Sequence, residues 1–244
     1  MAGSRHTSSA YEAELATLRE KLVLMGGLAE EILTKGVQAY VERDSELAKA
    51  TIKIDRRINR TEVELDELCM RILAMRQPVA SDLRFITIAL KVVTDIERIG
   101  DLGVNICERV GELNDEPPLP PIDGVNELSD EVVETLHEAV DVLVTRDADR
   151  AVTLLNRDAT VDQRYAALFG ELLELMANDP TTVYRATRIQ SIAKYLERIA
   201  DHAMNIAEDV VFLVRGKDIR HANKLRETDE PPPAHHIKEP IRRS

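Results

Sequence analysis

Apolar residues recur every three or four positions along most of the chain, which is the spacing that predicts amphipathic helices. No segment shows the alternation that is typical of a strand. Proline, glycine and asparagine positions divide the helical pattern into six ranges: 11–44, 45–76, 81–113, 125–144, 148–177 and 181–214. Ser81 is a predicted N-cap, and Asp82 after it complements the helix dipole. The pattern therefore predicts an all-α protein with six long helices.

One short segment interrupts this pattern more sharply than any other. Residues 115–124 hold four prolines and a glycine, and proline removes a helical hydrogen bond and clashes with the preceding turn. We therefore predict a first three-helix bundle at 1–114, a linker at 115–124 and a second three-helix bundle at 125–216. The remaining residues, 217–244, are predicted to be a mostly disordered tail.

The third predicted helix of each half carries a repeat. Residues 95–110 and 195–210 align without a gap at an offset of 100, and eight of the sixteen positions are identical. Unrelated segments of ordinary composition share about one such position. Duplication explains the match, so the two bundles are predicted to be related.

Each copy of the repeat has an apolar face and a polar stripe. Apolar residues spaced four, three, four, three and four form a bundle-facing seam, with Gly103 and Ala203 in the middle, where a neighbouring helix can approach closely. The identical polar residues lie nearly opposite and are expected to face solvent or a groove. They are Glu97, Asp101, Asn105 and Glu108 in the first copy, and Glu197, Asp201, Asn205 and Glu208 in the second.

Two acidic side chains one turn apart need an explanation. Like charges at positions i and i+4 destabilise a helix by roughly 0.2–0.5 kcal/mol, and a hard cation bound between the carboxylates would offset that repulsion. The second helix of each half offers further oxygen ligands. The candidate metal ligands are therefore Glu97, Asp101, Asn105, Asp55 and Asn59 in the first half, and Glu197, Asp201, Asn205, Asp158 and Asp162 in the second.

A plainer reading of the same stripe stays open. Acidic residues on exposed helix faces often do no more than keep a surface soluble. Arg98 and Arg198 could neutralise their neighbours locally, although Arg98 is adjacent to Glu97 and such neighbours are not expected to face each other. His202 follows Asp201, and because Leu102 occupies the equivalent position we expect His202 to be a surface residue rather than a ligand.

Composition and charge narrow the possible partners. The formal net charge is −12, the same sign as a nucleic-acid duplex or a membrane surface, so general nucleic-acid binding is not expected. No apolar run approaches the roughly 18 residues that a membrane-spanning helix needs, so membrane insertion is not expected either. The two cysteines, Cys69 and Cys107, are predicted to be reduced thiols. These features indicate a cytoplasmic protein.

The repeat resembles the signature of the PhoU family. The segments that carry the resemblance are 96–106, 196–208 and, at the end of the second half, 216–221. The resemblance implies two three-helix bundles packed side by side with pseudo-two-fold symmetry. It also implies that the Glu-x-x-x-Asp units Glu97/Asp101 and Glu197/Asp201 bind iron or other divalent cations (Mn, Zn, Mg or Ni), of unknown identity. Because the family often has histidine where Leu102 stands here, the two halves can differ in metal affinity.

The resemblance further implies a regulatory role rather than enzymatic activity. Family members are negative regulators of phosphate uptake and of transcription in the phosphate-starvation response. They couple the ATPase subunit of a phosphate ABC transporter to a membrane sensor histidine kinase, and dimers are common, so a homodimer is expected. Two alternatives remain at this stage: a metal-dependent helical-bundle enzyme, either a hydrolase or an oxidase, and a metal-free helical adaptor.

Overall fold

The computed structural model describes residues 3–78 and 80–216, and all regular secondary structure within those residues is helical. A short 3₁₀ turn at Pro180–Thr182 precedes the last helix. The α-helices, in chain order, are α1 (Gly3–Glu42), α2 (Ser45–Arg76), α3 (Ala80–Asn114), α4 (Asp123–Thr145), α5 (Ala148–Leu155), α6 (Asp158–Asn178) and α7 (Val183–Arg215). The prediction of an all-α protein is confirmed.

Helices α1, α2 and α3 pack against one another as the first bundle. The turn between α1 and α2 is fixed by Asp44, whose carboxylate accepts hydrogen bonds from the backbone amides of Glu46 and Leu47 at 2.9 Å. These bonds satisfy two amides that the first turn of a helix leaves without partners. The predicted N-cap at Ser81 is wrong, because α3 already begins at Ala80. Asp82 lies in the first turn of α3, as expected.

The second bundle is built from α4, α7 and, in place of one continuous helix between them, the shorter helices α5 and α6. The predicted continuous helix over 148–177 breaks at Asn156 and Arg157, where the backbone amides bond to carbonyls only three residues back. The break brings the guanidinium of Arg157 within 2.9 Å of carboxylates of Glu131 and Glu138 on α4. These charge-assisted hydrogen bonds offset the interrupted helical ladder.

The two bundles join chiefly along α3 and α7, with α1 against α4 beside them. Asn205 of α7 bonds to Asp95 near the middle of α3, and Arg188, nearer the start of α7, pairs with Glu112 near the end of α3. The two helices are therefore antiparallel, which is the arrangement that a pseudo-two-fold axis perpendicular to them produces. The two tandem, pseudo-symmetric three-helix bundles are confirmed.

Small residues in the seam set how closely the helices approach. A Cβ atom added at Gly103 would lie 3.0 Å from Cγ2 of Ile32 on α1, which is tighter than ordinary packing allows. Gly26 on α1 lies equally close to Val140 on α4. The predicted close approach at Gly103 is thus confirmed, and the core continues across both bundles.

Residues 115–122 connect α3 to α4 without an α-helix, in the region predicted as the linker. The predicted disordered tail at 217–244 lies outside the described residues. Within the described parts of the chain, no helix combines the length and the apolar character that crossing a membrane requires.

Candidate metal sites

Four carboxylates on α2 and α3 form a group that we call the first acidic cluster: Asp55, Glu62, Glu97 and Asp101. Glu97 and Asp101 follow each other by one turn on α3, and the side chain of Glu97 is only 18% exposed whereas that of Asp101 is 45% exposed. Asp55 and Glu62 project from α2, which packs along α3. The polar stripe of the first repeat therefore lines the groove between α2 and α3.

The carboxylates of this cluster repel one another. Burial raises the pKa of Asp55, and the charge of Asp101 adds to the rise. Burial also raises the pKa of Glu97, again with Asp101 as the next cause. The pKa of Glu62 is raised by burial first, then by Asp66, with smaller contributions from Asp101 and Asp55. Because a positive charge would lower all three pKa values, the cluster favours a cation.

Glu62 is the member of the cluster that the sequence reasoning missed. It lies seven residues after Asp55, which is two helical turns, so both side chains share one face of α2. The ligands predicted on α2, Asp55 and Asn59, span only a single helical turn. Extending the same periodicity by one more turn would have found Glu62.

One carboxylate oxygen of Asp55 accepts a hydrogen bond and the other has no hydrogen-bond partner among the described residues. Its Oδ2 accepts a hydrogen bond from Nδ2 of Asn59 at 2.9 Å. Its Oδ1 is buried and has no hydrogen-bond partner among the described residues. A Cβ atom on Gly100 would lie 3.4 Å from that oxygen and 2.9 Å from Cδ1 of Ile58, so glycine at this position allows α3 to approach Asp55 closely.

Arg98 lies over the cluster, contrary to the expectation that it would not face its neighbour. Its Nε is 3.4 Å from a carboxylate oxygen of Glu97, and its Nη1 is 3.4 Å from one of Asp101. The long side chain can fold back over an adjacent residue, which helix spacing alone does not reveal. Because it is 57% exposed, water screens its charge and the neutralisation is partial.

The equivalent surface of the second bundle, formed by Asp162, Glu197 and Asp201, is called here the second acidic face. Glu197 is only 15% exposed, and the ammonium of Lys194 lies 2.7 Å from both of its carboxylate oxygens. The hydrogen bond to Glu197 is the main reason that the pKa of Lys194 is raised. A cation of the chain itself is thus paired with the most buried carboxylate of this face.

The second half also lacks the equivalent of Glu62. An offset of 103 aligns Asp55 with Asp158 and Asn59 with Asp162, and it places Tyr165 opposite Glu62. The ring of Tyr165 lies 5.3 Å from the ammonium of Lys194, close enough for a cation–π contact. Asp162 is exposed, whereas the side chain of Asp158, the first residue of α6, lies outside the described part.

Two residues of the second repeat take part in the contact between the bundles. Nδ2 of Asn205 donates to Oδ1 of Asp95 on α3 at 3.2 Å, and Nδ1 of His202 lies 2.8 Å from the same oxygen. The expectation of a surface histidine is wrong, since His202 is only 20% exposed. Asn105, the candidate from the first repeat, is half-buried one turn beyond Asp101 on α3.

The donor sets of the two halves suit a metal ion to different degrees. Across the described residues, no three or more histidine, cysteine, aspartate or glutamate side chains are already arranged to hold one. The first acidic cluster nevertheless fits a hard cation, because its oxygens repel one another and Oδ1 of Asp55 is buried without a partner. At the second acidic face a metal would have to displace Lys194.

Two duplicated three-helix bundles, each with an acidic stripe on its third helix, define an all-α class of tandem-repeat bundle protein. The model of the PhoU domain matches this chain twice, at residues 22–110 and 125–210. The chain belongs to the PhoU family.

Relatives from several bacteria match most of the chain. The "phosphate-specific transport system accessory protein PhoU homolog" of Pseudomonas putida is 40% identical over 228 residues, covering 93% of this chain and 89% of the relative. The Escherichia coli "phosphate-specific transport system accessory protein PhoU" is 35% identical over 218 residues, covering 89% of this chain and 90% of the relative.

Solved structures agree with the fold. PhoU from Pseudomonas aeruginosa superposes with a TM-score of 0.83 at 41% identity, covering 85% of this chain and 100% of that one. The "phosphate transport system regulatory protein PhoU" of Streptococcus pneumoniae superposes with a TM-score of 0.79 at 28% identity, covering 86% of this chain and 99% of that one.

Proposed function

We propose that this chain is an accessory regulator of phosphate transport that represses phosphate uptake and the phosphate-starvation response. The observation that carries the proposal is the match of both halves to the family, at 22–110 and 125–210. Relatives named as accessory proteins of phosphate-specific transport, which match over nearly their whole length, support it. In this proposal the protein acts in the cytoplasm by binding partners, not by catalysis.

The proposed partners are the ATPase subunit of a phosphate ABC transporter and a sensor histidine kinase, bound by a homodimer of this chain. The long bundle surfaces suit such a coupling role, because separate faces can meet separate partners. A net charge of −12 favours basic docking surfaces on those partners and speeds their association.

The first acidic cluster is the proposed metal site. Asp55, Glu97 and Asp101 would supply carboxylate oxygens, with Asn59 and Glu62 beside them, and a bound divalent or iron cation would cancel their mutual repulsion. Because these ligands come from both α2 and α3, binding would also tie the two helices together. Glu197 and Asp201 are proposed as a second, weaker site.

A genetic experiment tests the regulatory role. In a strain that lacks this chain, a reporter under a phosphate-starvation promoter is expected to stay active in phosphate-rich medium, and the full chain supplied in trans is expected to repress it. The reporter activity, normalised to growth, is the measurement. Repression that persists without the chain would contradict the proposal.

A binding experiment tests the partners separately. The purified chain is expected to bind the transporter's ATPase subunit and the cytoplasmic part of the kinase, each measured by calorimetry, with weaker binding as salt rises. An unrelated protein of similar net charge is the control. Binding to neither protein, together with intact repression in the reporter strain, would remove the proposed partners but not the regulatory role.

A further inference from the structure

A cavity of about 200 Å³ lies beneath the proline-rich linker, where the two bundles meet. One wall is the end of α1, with Tyr40 and Val41. Another is the start of α7, with Arg185 and Ile189, and the linker prolines form the roof. A ligand here would therefore contact both bundles at once.

Two arginines from different bundles converge on this roof. Nη2 of Arg43 donates to the carbonyl oxygens of Leu113 at 2.8 Å and Glu116 at 2.7 Å. Nη1 of Arg185 donates to the carbonyl oxygen of Pro117 at 3.1 Å. Residues 116 and 117 are consecutive, so both arginines are anchored at the same part of the linker, and both line the cavity.

Neutral partners leave both positive charges in place. Within 3–78 and 80–216, Arg43 and Arg185 hydrogen-bond only to backbone carbonyls, and neither forms an ion pair. The pKa of Asp179 is lowered, mainly by hydrogen bonds from Thr181 and to a smaller extent by the charge of Arg185. The backbone amide and the hydroxyl of Thr181 donate to Oδ1 of Asp179 at 2.9 and 2.7 Å. Two guanidinium charges that no carboxylate of the described residues pairs with attract an anion at this site.

The remaining surfaces suit an apolar group beside the anion. Val41, Ile189 and the linker prolines offer aliphatic contacts. Burial raises the pKa of Tyr40 to about 12, so its phenol stays neutral and able to donate a hydrogen bond at physiological pH. The cavity is smaller than the roughly 300–1,000 Å³ typical of pockets for drug-sized ligands, so the ligand must be small.

We propose that this cavity binds a small phosphate monoester, with Arg43 and Arg185 on the phosphoryl group and the apolar walls around the organic part. A phosphate monoester carries a charge of about −1.5 to −2 at neutral pH, which matches two guanidinium groups better than a carboxylate does. Arginine also presents paired donors that suit phosphate oxygens. The site is separate from the acidic surfaces and does not depend on a metal.

The test is calorimetric titration of the full chain with phenyl phosphate and, in parallel, with inorganic phosphate. Phenyl phosphate is expected to bind more tightly, because the walls contact its ring, and its affinity is expected to fall as salt rises. Equal affinity for the two probes would overturn the assignment to a phosphate ester, and no binding of phenyl phosphate at millimolar concentration would overturn the site.

Three variants locate the binding. Arg43→Gln and Arg185→Gln are each expected to weaken phenyl phosphate binding at least tenfold, whereas Arg60→Gln, at an exposed arginine on α2, is expected to leave it unchanged. Because the first two changes also loosen the linker, Val41→Trp provides an independent check: Val41 is 57% exposed, so a larger side chain blocks the cavity without removing core packing. Circular dichroism melts verify folding, and unchanged binding in Arg185→Gln and Val41→Trp would overturn the proposal.

Discussion

The two halves of this chain share a repeat but treat its acidic residues differently. In the first acidic cluster, four carboxylates crowd the groove between α2 and α3, and the pKa values of Asp55, Glu62 and Glu97 are raised. In the second acidic face, the ammonium of Lys194 hydrogen-bonds Oε1 of Glu197 and lies close to Oε2, and Tyr165 occupies the position of Glu62 in the first half. The Glu-x-x-x-Asp unit is thus only partly neutralised, by the exposed Arg98, in one bundle, whereas its glutamate is closely paired with Lys194 in the other.

This difference shows that a repeated motif does not define a repeated site. Each unit lies on an equivalent helix, yet the halves differ at the residue one turn before the unit and at one residue on the neighbouring helix. Thr94 occupies the position in the first half that Lys194 occupies in the second. The comparison predicts that the first bundle binds cations more tightly than the second.

The largest expected effect is on metal uptake. Asp55→Asn combined with Asp101→Asn is expected to lower the manganese affinity of the first bundle by on the order of a hundredfold. Replacing a residue that only hydrogen-bonds to a metal ligand costs about 10–100-fold in affinity, and here two proposed ligands are replaced. Elemental analysis and calorimetry of the reconstituted protein measure the loss. The matched variant, Asp162→Asn with Asp201→Asn, is expected to reduce total uptake less, and the reverse ranking would contradict the comparison.

A smaller effect is expected from exchanging the residues one turn before the acidic pair. Lys194→Thr removes the internal cation from Glu197. It is expected to raise the manganese affinity of the second face about tenfold, because a charge-assisted hydrogen bond is worth about 1.5 kcal/mol at the low end of its range and solvent screens this half-exposed lysine. Thr94→Lys places an ammonium three residues before Glu97 and is expected to lower the affinity of the first cluster by a similar factor.

The control for this exchange is Lys49→Thr, which makes the same change of charge at an exposed lysine paired with Glu46, away from both surfaces. It is expected to leave manganese binding unaltered in calorimetric titrations. If Lys194→Thr and Lys49→Thr changed affinity equally, net charge rather than the local contact would explain the effect.

The smallest expected effect is on the stability of the metal-free protein. The folded state raises the pKa values of Asp55, Glu62 and Glu97, so it holds their protons more tightly than the unfolded chain does. Stability from these groups is therefore greatest below their ordinary pKa of about 4 and falls as pH rises through the raised values.

Asp101→Asn should relieve this repulsion. It is expected to stabilise the metal-free protein at pH 7 by roughly 0.2–0.5 kcal/mol, the size of one like-charge pair on a helix, and to shift Tm upward by about 0.5–2 °C. The gain should shrink towards pH 4, because Asp55, Glu62 and Glu97 take up protons as pH falls through their raised pKa values. Thermal melts at pH 7 and pH 4 measure the gain, with Asp201→Asn as the matched control. An equal gain in Asp201→Asn would contradict the proposed difference between the halves.

Much of the architecture follows from the chain itself. The spacing of apolar residues predicts every long helix except for the break at Asn156 and Arg157, and the offset of 100 between the repeats predicts two related bundles. Glu97, Asp101, Glu197 and Asp201 also follow from the repeat. These features are periodic along one helix, so they can be identified without knowledge of which helices touch.

Other features depend on contacts between helices and were decided only by the tertiary structure. Examples are the proximity of Glu62 to the other carboxylates of the first acidic cluster and the contact of Lys194 with Tyr165. Another is that Arg43 and Arg185 both hydrogen-bond to the linker. The break at Arg157 has the same origin, because its partners lie on α4. Periodicity determines which residues share a helix face, whereas the packing of helices determines which charged side chains come into contact. Those contacts explain why the same repeat has a different charge environment in each bundle.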